Sequence, residues 1–159
     1  MRNLALAVAL AVAPIAPAPP ADSLAPHFQP LAFVAGACWR ATFPDGRMTD
    51  THCFSPILNG HFLRDRHIVT RAPNPYVGET IYRWDAATGR IRYDYYASDG
   101  SHGAGTAEAA TTGLAFTEDH RDSDSGTAMQ IRSSWTREGE GWRTLFRLRF
   151  TRIAERPGD

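Results

Sequence analysis

The sequence predicts an all-β fold: a closed antiparallel up-and-down barrel of about nine or ten strands that follows a short N-terminal helix. Three observations predict it. From Gly36 onward, short strand-like segments alternate with turn residues at regular intervals. No segment with helical periodicity is long enough to connect parallel strands, which excludes βαβ units. Two hairpins, folded in their natural registers, each sort into one apolar and one polar face.

The N-terminus has the layout of a secretory signal peptide. Arg2 precedes an apolar run over residues 4–13, and a stretch of Pro and Ala ends at Ala21. The run is too short to span a bilayer. We expect a signal peptide over residues 1–21 and a single domain over residues 22–159. The expected location is periplasmic or secreted, with no membrane span after cleavage.

A short helix or helical turn is predicted over residues 23–35, because apolar residues recur there at roughly helical spacing: Leu24, Phe28, Leu31 and Val34. Pro26 and Pro30 limit its length.

Strands are predicted over nine segments: 37–43, 48–54, 61–69, 79–85, 90–97, 104–110, 114–120, 127–136 and 142–153. So long a meander must protect its edge strands, and closing into a barrel does so. A sandwich is the alternative, but only the connections at 71–77 and 121–126 are long enough to cross between sheets.

The first hairpin predicts a disulfide. A four-residue loop at residues 44–47 pairs Phe43 with Met48 and, further along, Cys38 with Cys53. A three-residue bulged loop would instead place Cys38 opposite His52. Paired cysteines in an exported chain are typically bonded.

Two later hairpins support the alternation. A loop at 86–89 places Tyr82, Trp84, Ile91, Tyr93 and Tyr95 on one face. A loop at 138–141 aligns Met129, Ile131 and Trp135 with Thr144, Phe146, Leu148 and Phe150.

Three short motifs resemble calycin-like barrels: LAFVAGACW at 31–39, PILNGHFL at 56–63 and YRWD at 82–85. The chain is similar to bacterial lipocalin-like or nitrobindin-like proteins of unknown function. The resemblance implies an up-and-down barrel of about ten strands that binds a small ligand. The haem-binding nitrobindin branch has glycines in the strand that contains this tryptophan and a histidine ligand near the C-terminus. Haem is not expected here, because no such glycines follow Trp39 and residues 142–153 contain no histidine. No cofactor is therefore expected.

The composition excludes a strongly charged partner. Seventeen basic and seventeen acidic residues cancel, so nothing attracts the chain to nucleic acid.

Polar candidates for a ligand site come from the second and third strands. The inward face of the first hairpin brings Asp50 and His52 toward the interior, where charged groups need partners. Neither face of strand 61–69 is free of charge, so an inward Arg64 or Arg66 could fix a polar ligand group. Alternatively, Asp50 and an arginine form an internal ion pair or lie at an open rim.

Aromatic residues could line a cavity as a set, although each alone is more typical of a core: Trp39, Tyr82, Trp84, Tyr93, Tyr95 and Trp135.

No metal site or catalytic residue is assigned. His61 and His67 share a strand face but lie roughly 20 Å apart, too far for one ion, although His52 could meet one of them across strands. No nucleophile elbow, zinc-protease motif or phosphate loop occurs.

These observations predict an exported barrel that binds a small apolar or aromatic molecule. One alternative is a small lyase, isomerase or hydrolase that uses His52 and Asp50. Another is a structural or partner-binding domain with a filled core. The sequence leaves the oligomeric state open.

Overall fold

A computed structural model of the protein describes residues 23–70, 75–144 and 148–154. The predicted signal peptide, residues 1–21, lies outside the described residues. One 3-10 helix, Pro26–Leu31, precedes ten strands: β1 Cys38–Thr42, β2 Thr49–Ile57, β3 Phe62–Thr70, β4 Tyr76–Asp85, β5 Arg90–Ala97, β6 His102–Ala110, β7 Gly113–Arg121, β8 Ala128–Glu138, β9 Gly141–Thr144 and β10 Arg149–Ile153.

The strands form one closed antiparallel barrel, in which each strand pairs with its sequence neighbours and β1 pairs with β10. This confirms the predicted all-β barrel and is consistent with a calycin-like fold. Because the sheet closes on itself, each of the ten described strands has a hydrogen-bonded neighbour on both sides. Closure also gives every strand one face toward the interior and one face outward.

The register of the first hairpin is as predicted. Cys38 pairs with Cys53 and Ala41 with Asp50, while the Phe43 amide donates to the Met48 carbonyl. The predicted disulfide joins Cys38 to Cys53 across β1 and β2. The hairpin at 86–89 also has its predicted register, with Asp85 opposite Arg90.

The predicted last strand, 142–153, is instead two strands. β9 ends at Thr144, and Trp142 pairs back onto Phe150 of β10. The alternation of apolar and polar residues continues through residues 144–148 without a glycine or proline, so the sequence carries no turn signal there. Phe146, which the hairpin register assigned to the inward face, lies outside the described residues.

The predicted N-terminal helix over residues 23–35 is not confirmed as such. The structure has a six-residue 3-10 helix with Pro30 inside it, and proline cannot donate the backbone hydrogen bonds of a longer helix. The N-terminal segment (residues 23–37) packs across one end of the barrel, where the Ala25 amide donates to the Gly60 carbonyl.

The N-terminal segment and the neighbouring strand ends form a fully buried apolar layer. Its members have no solvent-exposed surface: Phe28, Leu31, Val34, Phe54, Leu63, Leu114, Trp142 and Phe150. Trp39 is buried beside them and donates its indole N–H to the Val34 carbonyl at 3.0 Å. This end of the barrel is therefore a filled core.

None of the described helices has the length and apolar character needed to cross a membrane.

The filled end should carry much of the stability. We expect Leu63→Ala to lower the free energy of unfolding by about 2–5 kcal/mol, because it removes buried methyl groups and leaves a cavity. Leu58→Ala is the matched control, since Leu58 is 69% exposed and its truncation should change stability by less than about 0.5 kcal/mol. Urea unfolding measures both, and equal losses would contradict this packing.

Candidate ligand-binding pocket

The opposite end of the barrel interior is not filled. It contains a pocket of about 350 Å³. Its walls come from strands β2 to β5 and β7 to β9, and it is lined by His52, Asp65, His67, Thr80, Tyr82, Tyr93, Tyr95, Phe116, Glu118, Ile131, Ser133, Ser134, Trp135 and Thr144. Among the described residues, the apolar lining is mainly aromatic, and no arginine contributes to it.

Glycines on two strands make room for the large side chains of the pocket. A Cβ atom on Gly78 would collide with His67 Nε2 and lie 2.7 Å from the Tyr95 hydroxyl oxygen. A Cβ atom on Gly105 would lie 2.7 Å from the Tyr93 ring. Glycine in the middle of a strand weakens it, so these positions are explained by close packing against the pocket residues.

His52 lies between two carboxylates. Its Nδ1 is 2.7 Å from Asp65 Oδ2, and its Nε2 is 3.2 Å from Asp50 Oδ2. Burial disfavours the charged imidazole, but the charges and hydrogen bonds of Asp65 and Asp50 outweigh it and raise the pKa of His52 to about 10. His52 is therefore an imidazolium that donates a hydrogen bond from each ring nitrogen.

Asp50 also bonds the second histidine of the cluster. Its Oδ1 lies 3.2 Å from His67 Nδ1. Burial raises the pKa of Asp50, but its hydrogen bonds with His52 and His67 more than reverse this and hold it well below the ordinary value. Asp50 is consequently a carboxylate that both histidines share.

Two tyrosines extend this hydrogen-bond network beyond His67. His67 Nε2 lies 3.3 Å from the Tyr95 hydroxyl, which lies 2.5 Å from the Tyr76 hydroxyl. The rings of His52 and His67 stack with their centroids 4.7 Å apart. Asp50, His67, Tyr95 and Tyr76 thus form a continuous line of hydrogen bonds.

A second polar group lies on β5 and β7. The Tyr93 hydroxyl donates to Glu118 Oε2 at 3.1 Å, and His120 Nδ1 lies 2.9 Å from Glu118 Oε1. Burial and the adjacent Glu118 charge raise the pKa of Tyr93, so this phenol stays protonated as a donor. Gly103 leaves room for Glu118, because a Cβ atom at position 103 would collide with the Glu118 carboxylate.

Three of these side chains could supply ligands to a metal ion. The donor atoms of Asp50, His52 and His67 lie within 4.8 Å of one another. However, the imidazole planes are only 17° apart, and each ring directs a nitrogen toward a different oxygen of Asp50. In this arrangement one nitrogen of each imidazole is already hydrogen-bonded to Asp50.

The residues that the sequence proposed for the site fall into two groups. The pocket lining includes His52, Tyr82, Tyr93, Tyr95 and Trp135, with Asp50 directly behind His52.

The other four lie elsewhere. Trp39 belongs to the filled end, and Trp84 is 37% exposed and stacks on His27. Arg64 and Arg66 lie on the face of β3 opposite Leu63, Asp65 and His67. An inward arginine is therefore not found on β3, and the polar groups that this strand contributes are acidic and imidazole side chains.

The sequence interpretation did not assign Asp65, His67 or Glu118 to the site. The turn at Asn59 and Gly60 sets the register that places His67 opposite His52, as the sequence had allowed for one of the two later histidines. Glu118 follows Leu114 and Phe116 at alternate positions of β7, so its inward direction was readable from alternation alone.

The contacts of His52 argue against the alternative in which His52 and Asp50 are catalytic. His52 and Asp50 both point inward, but both nitrogens of His52 are occupied by carboxylates. A general base needs an unprotonated nitrogen directed at its substrate. His52 is therefore placed as a buried cation rather than as a general base.

No protein-family model matches the chain, and comparison with curated proteins finds no match.

Stability should depend on pH through His52. Its pKa rises from an ordinary 6.5 in the unfolded chain to about 10 in the fold. Its stabilising contribution is thus complete below 6.5 and lost as pH rises through about 10. We expect the free energy of unfolding to fall across this window, and His52→Gln to remove that decline.

The control for this experiment is His102→Gln, because His102 is exposed. Urea unfolding at a series of pH values measures the slope for all three proteins. An identical slope in the parent protein and in His52→Gln would contradict a charged His52.

Gly78→Ala tests the packing of the second histidine. Alanine normally stabilises a strand relative to glycine, but here its methyl group would displace His67 from Tyr95. We expect a destabilisation of about 1–3 kcal/mol, as for an overpacked core, measured by urea unfolding. A variant as stable as the parent would show that His67 and Tyr95 are not held together over Gly78.

Proposed function

We propose that this protein is an exported binding protein that holds a small aromatic or apolar molecule in the pocket at the open end of its barrel. The observation that carries the proposal is the contrast within one interior. One end is filled by side chains with no exposed surface, while the other encloses about 350 Å³.

The size of the pocket supports a small ligand. Cavities that bind small molecules typically span roughly 300–1,000 Å³, and one of about 150 Å³ suffices for benzene. The pocket of about 350 Å³ therefore matches a small aromatic molecule.

The walls of the pocket favour an aromatic body. Phe116 and Trp135 pack against each other with ring centroids 4.6 Å apart, and Tyr93 meets Phe116 edge to face. Rigid rings of this kind offer large contact area and prefer offset or edge-to-face partners. A planar ligand can extend this cluster.

Export is supported by two features. Residues 1–21 have the order of charge, apolar run and small residues that signal peptidases recognise. The Cys38–Cys53 disulfide is of a kind that persists in oxidising compartments such as the periplasm.

Filling the pocket with a large side chain should weaken the binding of an aromatic probe. The probe is N-phenyl-1-naphthylamine, a dye whose fluorescence rises in apolar surroundings. We expect saturable fluorescence with the parent protein and at least a roughly tenfold weaker affinity with Ser133→Trp, because Ser133 lines the pocket.

Arg132→Trp is the matched control, since the adjacent Arg132 is exposed and the new ring should project from the outer face. Circular dichroism verifies that both variants fold. An unchanged affinity in Ser133→Trp, or no binding to the parent protein, would contradict a pocket site.

A further inference from the structure

Three acidic side chains lie at the pocket. Asp50 and Asp65 are bonded to the His52 imidazolium, and Glu118 accepts a hydrogen bond from the Tyr93 hydroxyl. Buried charges of this kind are stable when a partner arrives from within the site.

One carboxylate oxygen is left without any partner. Asp65 is 2% exposed and lines the pocket, yet its Oδ1 has no hydrogen-bond partner among the described residues. Its other oxygen is bonded to His52. A buried, unpartnered carboxylate oxygen costs free energy unless a donor or cation satisfies it.

The aromatic walls suit the same kind of group. Tyr93, Tyr95 and Trp135 line the pocket together with Glu118. Aromatic faces attract ammonium groups, and the attraction is strongest where water is excluded. Carboxylates beside aromatic walls favour a cation over an anion. The described lining contains no arginine, and the positive charge of His52, which also lines the pocket, is already bonded to Asp50 and Asp65.

We infer that the pocket selects molecules that carry an ammonium group on an aromatic or apolar body, with Glu118 and Asp65 as the polar contacts. This inference rests on the proposed function. In the complex, the ammonium donates to the two carboxylates, and the body packs against Phe116 and Trp135.

The test uses three probes that share one aromatic body: 2-naphthylmethylamine, 2-naphthalenemethanol and 2-naphthoate. Their affinities are measured by displacement of N-phenyl-1-naphthylamine from the full-length protein. We expect the ammonium compound to bind at least about tenfold more tightly than the neutral alcohol, since its positive charge adds a direct attraction to the carboxylates that the alcohol lacks. The carboxylate should bind most weakly.

Two variants locate the source of this preference. Glu118→Gln removes one charge but keeps the shape, so it should weaken the ammonium compound by about tenfold and the alcohol by much less. Asp119→Asn makes the same charge change on the exposed outer face of β7 and should change neither affinity.

The outcomes separate the two proposals. If the dye and all three naphthalenes fail to bind the parent protein, the proposed function is wrong. If they bind but the alcohol or the carboxylate equals the ammonium compound, the inference alone is overturned. An equal loss of ammonium binding in Asp119→Asn and Glu118→Gln also overturns it, because the preference would then come from the general surface charge.

Discussion

The fold of the polar half of this barrel depends on one buried interaction, the imidazolium of His52 between the carboxylates of Asp50 and Asp65. These three groups alternate inward from β2 and β3, so closure of the barrel removes them from bulk water. Separately, each would be expensive to bury, but a bonded set of opposite charges is tolerated. Their mutual pairing lets the barrel keep charged groups at its centre.

The two ends of the barrel interior are packed differently. At one end the N-terminal segment inserts Phe28 and Leu31, and the apolar layer is complete. At the other end, the large side chains are paired with glycines on neighbouring strands, as Tyr93 is with Gly105. The fully buried apolar side chains thus lie at one end, while the other end keeps a pocket of about 350 Å³.

Much of this could be predicted from the sequence because strand alternation is a local property. The loop lengths set the pairing of Cys38 with Cys53 and brought Asp50 and His52 inward. The outward direction of Arg64 and Arg66 was harder to predict, because β3 carries charged residues on both faces. The inward face of β3 is set by the pairing with its neighbours, which places Phe54 and Thr80 opposite Asp65.

Other features need the closed structure itself. Trp84 has the alternation of an inward residue but lies where its strand reaches the barrel end, so it stacks on His27 and stays partly exposed. The meeting of Tyr95 with His67 joins β5 to β3 across β4 and requires Gly78 between them. Side chains that meet across an intervening strand leave no spacing signal in the chain.

The most direct measurement of the central claim is the set of intermolecular nuclear Overhauser effects between bound 2-naphthylmethylamine and assigned side-chain protons. Contacts from the naphthyl protons to the rings of Phe116 and Trp135 are the predicted result. The outer face offers a competing apolar surface at Tyr96 and Met129, which are 58% and 47% exposed and line a shared groove. Contacts confined to those two residues would contradict a binding site inside the barrel.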